Sequence, residues 1–202
     1  MAKTKLELVS GRPRTLEIEV WRDWLSHAAK LYDRHIAKWN DDDPFAYNET
    51  ASVALLAAAG SLAGHVTLAE CTTEKLTQSK KDPDKVKQRK RHGRADLWLH
   101  TDRRHWAFEF KQRLSVGASR ADGRLKYWMT EAQRCARQVI ESVDGVPVAG
   151  LIVSLYFIEN DDTAERAETE IRQFAKEGQF YCWCLRPPDN RRPTFFLFSL
   201  RP

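Results

Sequence analysis

Residues 94–112 read RADLWLHTDRRHWAFEFKQ, and the fold is decided here. Leu97 and Leu99 alternate with Asp96, Trp98 and His100. Trp106, Phe108 and Phe110 alternate with Ala107, Glu109 and Lys111. Period-two alternation on both sides of a polar Asp102-Arg103 turn is the pattern of a β-hairpin. Such a turn pairs Leu97 with Phe108 and Leu99 with Trp106, giving one apolar face. The same register sets Asp96 opposite Glu109 on the other face, where facing Cβ atoms stand about 4.5–5.5 Å apart. Lys111 points the same way, two residues along.

Two carboxylates held that close repel unless a cation lies between them. A hard divalent ion such as Mg²⁺, or Mn²⁺ in its place, takes carboxylate oxygens and keeps several waters. A lysine beside it orients a water or neutralises a phosphate. In this respect Asp96, twelve intervening residues and then Glu109-Phe110-Lys111 resemble the motif of the PD-(D/E)XK, or restriction-endonuclease-like, nuclease superfamily. Ala95 stands where the proline of the motif's name would be. The resemblance implies an αβββαβ core over about residues 44–158, a bound Mg²⁺ (or Mn²⁺) and phosphodiester hydrolysis. It makes Asp96 and Glu109 metal ligands and Lys111 the residue that positions the attacking water. In that family a helix ahead of the first core strand often adds a further acid, and Glu49 matches that role by element and order. A surface glutamate favouring the helix dipole is the other reading of Glu49.

The chain has 202 residues, 42% hydrophobic and 30% charged, a size and composition suited to one globular domain over 1–202. Its longest apolar run, ASVALLAAAGSLAG, is too short to span a bilayer, and the first residues lack a signal-peptide core. No membrane association and a cytoplasmic location are expected. Four cysteines fit reduced thiols, with Cys182 and Cys184 buried on one face of a strand rather than holding a metal.

The net charge is +5, but Lys80 to Arg94 concentrates eight Lys/Arg against two Asp just ahead of Asp96. Read as a loop, this stretch brings Lys87, Arg89, Lys90, Arg91 and Arg94 to phosphates. A solvated loop is the plainer reading.

Around the hairpin, helical spacing predicts α-helices over about 15–39, 44–63 and 123–143. Asp43 would cap the second of these and Pro44 begin it. Trp21, Trp24 and Trp39 are assigned to packing, and His35 to a packed core position. A strand is expected from His65 to about Glu74, with Glu70 and Glu74 at a solvated edge. The continuous apolar run 148–158 predicts a strand covered on both faces. An amphipathic helix with Ala167, Ile171 and Phe174 inside follows, then FYCWCLR and TFFLFSL as closing strands.

On the third helix, Gln133 matches a site-facing glutamine of exonuclease-like branches of the family, while Arg137 stands where those branches carry a tyrosine. Arg137 is then a phosphate contact, and a solvated helix edge is the alternative for both. Gln112 lies at the strand end, where it can support the site. The expected class is α/β: a mixed central sheet flanked by helices, with an extra N-terminal helix and a C-terminal helix and strands around the nuclease-like core.

The expected function is a metal-dependent nuclease acting on nucleic acid, foremost DNA. The alternative is an inactive nuclease-fold binding or scaffold subunit. A homodimer and a separate motor subunit both remain open as partners.

Overall fold

The computed structural model describes residues 3–39, 42–78, 86–114, 121–140, 144–188 and 191–200. Chain order is β1 (Lys5–Ser10), α1 (Leu16–Trp39), α2 (Glu49–Leu62), β2 (Val66–Gln78), β3 (Val86–His100) and β4 (His105–Leu114). There follow α3 (Ala121–Ala136), β5 (Val146–Ser154), α4 (Asp161–Glu177), β6 (Tyr181–Arg186) and β7 (Thr194–Ser199). The seven strands form one mixed sheet in the order β1-β6-β7-β5-β4-β3-β2. Only β4 and β5 run parallel, joined through α3; the other neighbours are antiparallel.

The period of two along the central strands explains the layers. On β5, Val148 and Ile152 face one core and Ala149, Leu151 and Val153 the other. On β7, Phe196 and Phe198 oppose Phe195 and Leu197 in the same way. The first face packs against α1 and α2, the second against α3 and α4. Trp21 anchors the first core, its ring centroid 4.9 Å from that of Phe198 and 5.6 Å from that of Phe108. Trp24 Nε1 donates to the Leu56 carbonyl at 2.7 Å, tying α1 to α2. Cys182 and Cys184 are buried in the second core, and burial pushes the Cys184 thiol up to about 12. Among the described residues no helix is long and apolar enough to cross a membrane.

The hairpin register is as read: Leu97 faces Phe108 and Leu99 faces Trp106. Several expectations are corrected. β1 has no counterpart in the sequence reading; it is a partly exposed strand whose ladder to β6 makes it. α2 starts at Glu49, not at 44, because Asn48 is its N-cap, its side chain accepting from Ala51 N–H. Asp43 instead closes a buried turn, accepting from Phe45 N–H at 2.7 Å. Trp39 is exposed, one turn past the point where α1 leaves the core. His35 faces Asp42 at 3.4 Å at the half-buried margin of the core. The stretch expected as a basic loop ahead of Asp96 is β-structure from Val86 on, because β2 runs to Gln78 and pairs with it. α3 ends at Ala136; Val139 is buried from a bridge to Lys75 rather than from a helix. β5 ends at Ser154, leaving Tyr156 and Phe157 exposed.

Candidate active site

The site lies where β3 parts from β4. Their ladder covers only Leu97–His100 on β3, while β4 continues along β5 as far as Leu114. The cause is a bend in the β2–β3 arm. Glu70 adopts φ 51°, a left-handed conformation costly for a residue with a side chain. The Glu70/Asp96 position is missing from a ladder that is continuous on either side of it from Val66 to Leu76. Beyond it Ala95 faces Ala107, Val139 and Trp98, the opposite side of the sheet from Leu97. The far half of the arm then docks on the segment after α3, with Leu76 N–H donating to the Gln138 carbonyl at 2.8 Å.

This parting corrects one expectation: Asp96 and Glu109 are not a laddered pair. The Asp96 carboxylate takes the place of a backbone acceptor, with Oδ2 accepting from Phe110 N–H at 2.7 Å. Gln112 N–H, the next donor on that edge, goes to Glu49 Oε2 at 3.1 Å. Glu49 reaches it because α2 begins there, and Gln112 Nε2 in turn donates to the Phe45 carbonyl at 2.7 Å. Lys111 Nζ lies 3.3 Å from Glu49 Oε1 and 2.6 Å from the Phe110 carbonyl. Glu109 is buried, with Oε1 2.5 Å from Lys75 Nζ.

The electrostatics are those of acids crowded away from water. Burial, followed by the charge of Asp96, pushes Glu109 up to about 7. Burial also raises Asp96 and Glu49. For Lys111, burial favours the neutral form, but Glu49, Cys135 and Asp96 outweigh it and hold the ammonium above its ordinary range.

The expected residues thus divide. Glu49, Asp96, Glu109 and Lys111 come together around the outer edge of β4. Gln112 borders them, its side-chain amide committed to a backbone carbonyl. Gln133 does not join them: its Nε2 donates to Ser199 Oγ at 3.2 Å, over β7. Arg137 is half-buried just beyond the end of α3. On β3, Lys90 pairs with Glu74 at 2.8 Å, Arg94 with Glu70 at 3.5 Å, and Arg91 donates to Gln138 Oε1 at 2.9 Å. Lys87 and Arg89 lie outside the residues whose side chains are described. Sequence reasoning missed Lys75. Its signal was faint, a lysine on a strand that read as a solvated edge.

An Mg²⁺ or Mn²⁺ fits the donors present. Asp96 Oδ1 and Glu109 Oε2 have no hydrogen-bond partner among the described residues. Both acids are held near each other against repulsion that a divalent cation removes. Each oxygen of Glu49 already has one protein partner, Lys111 Nζ for Oε1 and Gln112 N–H for Oε2, and each keeps a second lone pair. Among the described residues no group of three or more His, Cys, Asp and Glu side chains is drawn up for a metal. The remaining coordination would be water and substrate, the habit of Mg²⁺. No family model, curated protein or solved structure matches the chain.

Proposed function

We propose that the chain is a metal-dependent nuclease of the PD-(D/E)XK type, hydrolysing phosphodiester bonds, foremost in DNA. The observation that carries this reading is the meeting of Asp96, Glu109, Lys111 and Glu49 at one strand edge. The element order α2-β2-β3-β4-α3-β5 supports it, since αβββαβ is the order of a restriction-endonuclease-like core. Asp96 Oδ1 and Glu109 Oε2 would hold Mg²⁺ or Mn²⁺, which would polarise a phosphoryl oxygen and lower the pKa of a bound water. Lys111 is fixed from two sides, by Glu49 and by the Phe110 carbonyl, and its raised pKa keeps it cationic. It therefore acts as an oriented charge that holds the attacking water and the phosphate, not as a base. Glu49 is the positioning residue for Lys111. The β2–β3 arm, with Lys90, Arg91 and Arg94, supplies the phosphate-contacting side.

The Lys75–Glu109 contact favours a second reading, a nuclease-fold binding protein whose acids are neutralised from within. A cleavage assay separates the two. Supercoiled plasmid, linear duplex and single-stranded DNA are incubated with Mg²⁺, Mn²⁺ or EDTA, with Lys111→Ala beside the wild type. The nuclease reading expects metal-dependent cutting that the variant loses. Binding without cutting on every substrate, with no effect of metal on melting, assigns the chain to the second reading.

A further inference from the structure

Lys75 is a buried cation that the motif does not account for. It is 8% exposed, and its Nζ lies 2.5 Å from Glu109 Oε1. Its place is built by three neighbours. A Cβ on Gly93 would come within 2.9 Å of Lys75 Cδ and 3.0 Å of Cγ, so the side chain runs through space that the glycine leaves. Lys75 bridges Val139 through its backbone. Leu76 N–H is held by the Gln138 carbonyl, and Gln138 Oε1 by Arg91. A lysine lodged in this way keeps its Nζ fixed beside Glu109.

With Lys111, the site then carries two ammonium groups against the carboxylates of Asp96, Glu109 and Glu49. With all three carboxylates ionised, the state that cation binding requires, one net negative charge remains among these five groups. A single divalent cation together with one phosphodiester anion brings the sum to zero. A second divalent cation would leave a double positive charge uncompensated by these five groups, two of which, Lys75 and Glu109, are buried, and that is unfavourable. Building on the nuclease reading, we propose that Lys75 fills the part of a second metal ion, so that the site binds a single Mg²⁺ or Mn²⁺ between Asp96 and the outer oxygen of Glu109.

The test is a Mn²⁺ titration of the full chain without nucleic acid, read by electron paramagnetic resonance of free Mn²⁺ and by calorimetry. Wild type is compared with Lys75→Met, Lys75→Arg and Asp96→Asn, each checked for folding by circular dichroism. The expected wild-type stoichiometry is a single equivalent, with affinity falling at least about tenfold in Asp96→Asn. Lys75→Arg keeps a single equivalent. Lys75→Met takes up a second equivalent or binds the first at least about tenfold more tightly. Two equivalents in the wild type, or a Lys75→Met titration identical to wild type, overturns the proposal and leaves the nuclease reading standing. No Mn²⁺ binding by the wild type, or binding that Asp96→Asn does not weaken, overturns both. Should Lys75→Met fail to fold, the wild-type and Lys75→Arg stoichiometries decide.

Discussion

Glu49 and Asp96 hold successive outward amides of one strand edge: Asp96 accepts from Phe110 N–H and Glu49 from Gln112 N–H. In an uninterrupted sheet these donors would go to carbonyls of β3. Because β3 has bent away, two carboxylates replace a strand. The acids assigned to the proposed site are thus also the caps that satisfy the sheet edge where it opens.

Substitutions at Asp96 should separate these two duties. Asp96→Asn keeps an acceptor for Phe110 N–H but loses the charge. Its melting temperature should stay close to wild type while metal-dependent cleavage falls by about 10²-fold or more. Asp96→Ala leaves a partly buried amide unpaired and should cost about 1–3 kcal/mol besides. Denaturant melts of both variants beside the cleavage assay check this. Equal stability of the two would remove the capping role.

Glu49→Gln addresses Lys111 through its partner. The amide still accepts from Gln112 N–H, but the charge that raises Lys111 is gone. The Lys111 pKa should fall, so the alkaline limb of the pH–rate profile should move to lower pH. An unmoved limb would mean that Lys111 does not set it.

Glu109 gives the metal-free protein a pH-dependent stability of known sign. Its folded pKa, about 7, lies above its ordinary 4.5, so the folded state holds this proton more tightly than the unfolded state. The stability it contributes is full below pH 4.5 and is lost as pH rises to 7. The loss is on the order of 3 kcal/mol. Asp43, raised by burial to about 6, adds a slope of the same sign at lower pH. Glu109→Gln should flatten the profile between pH 4.5 and 7, most plainly in its upper part, above the range where Asp43 contributes. Urea melts in EDTA across pH 4–8 measure it, and an unchanged slope would show that Glu109 ionises as freely in the folded protein as in the unfolded one.

The sequence spoke most clearly where one side-chain period ruled alone. The Leu97/Leu99 and Trp106/Phe108 alternation set the hairpin register, and the apolar run from 148 marked a strand covered on both faces, though only as far as Ser154. Three of the four meeting residues were legible because the motif lies within this one hairpin, and the fourth, Glu49, from helix order. What escaped notice depends on contacts distant in sequence. β1 exists through its ladder to β6, and the bend at Glu70 accompanies the docking of the β2–β3 arm after α3. Lys75 meets Glu109 across 34 positions of sequence, and Gln133 meets Ser199 across 66. Local periodicity carries none of these.

Gly60→Ala tests how closely α2, the carrier of Glu49, must approach the sheet. A Cβ there would lie 2.4 Å from Thr67 Cγ2 and 3.1 Å from Leu99 Cδ1. Thr67 cannot turn away cheaply, since its Oγ1 donates to the Ala57 carbonyl at 2.7 Å and lies 2.7 Å from Ser61 Oγ. Alanine normally improves a helix interior by about 0.5–1 kcal/mol over glycine. Overpacking of this kind costs about 1–3 kcal/mol, so the net effect should be destabilising. The displacement should also lift Glu49 from Gln112 N–H and slow cleavage. Adding Thr67→Ser removes the clashing methyl and keeps the hydroxyl, so the double variant should recover most of the lost stability. A denaturation series on the four proteins of this cycle measures the coupling, and simple additivity would show that α2 does not depend on this contact.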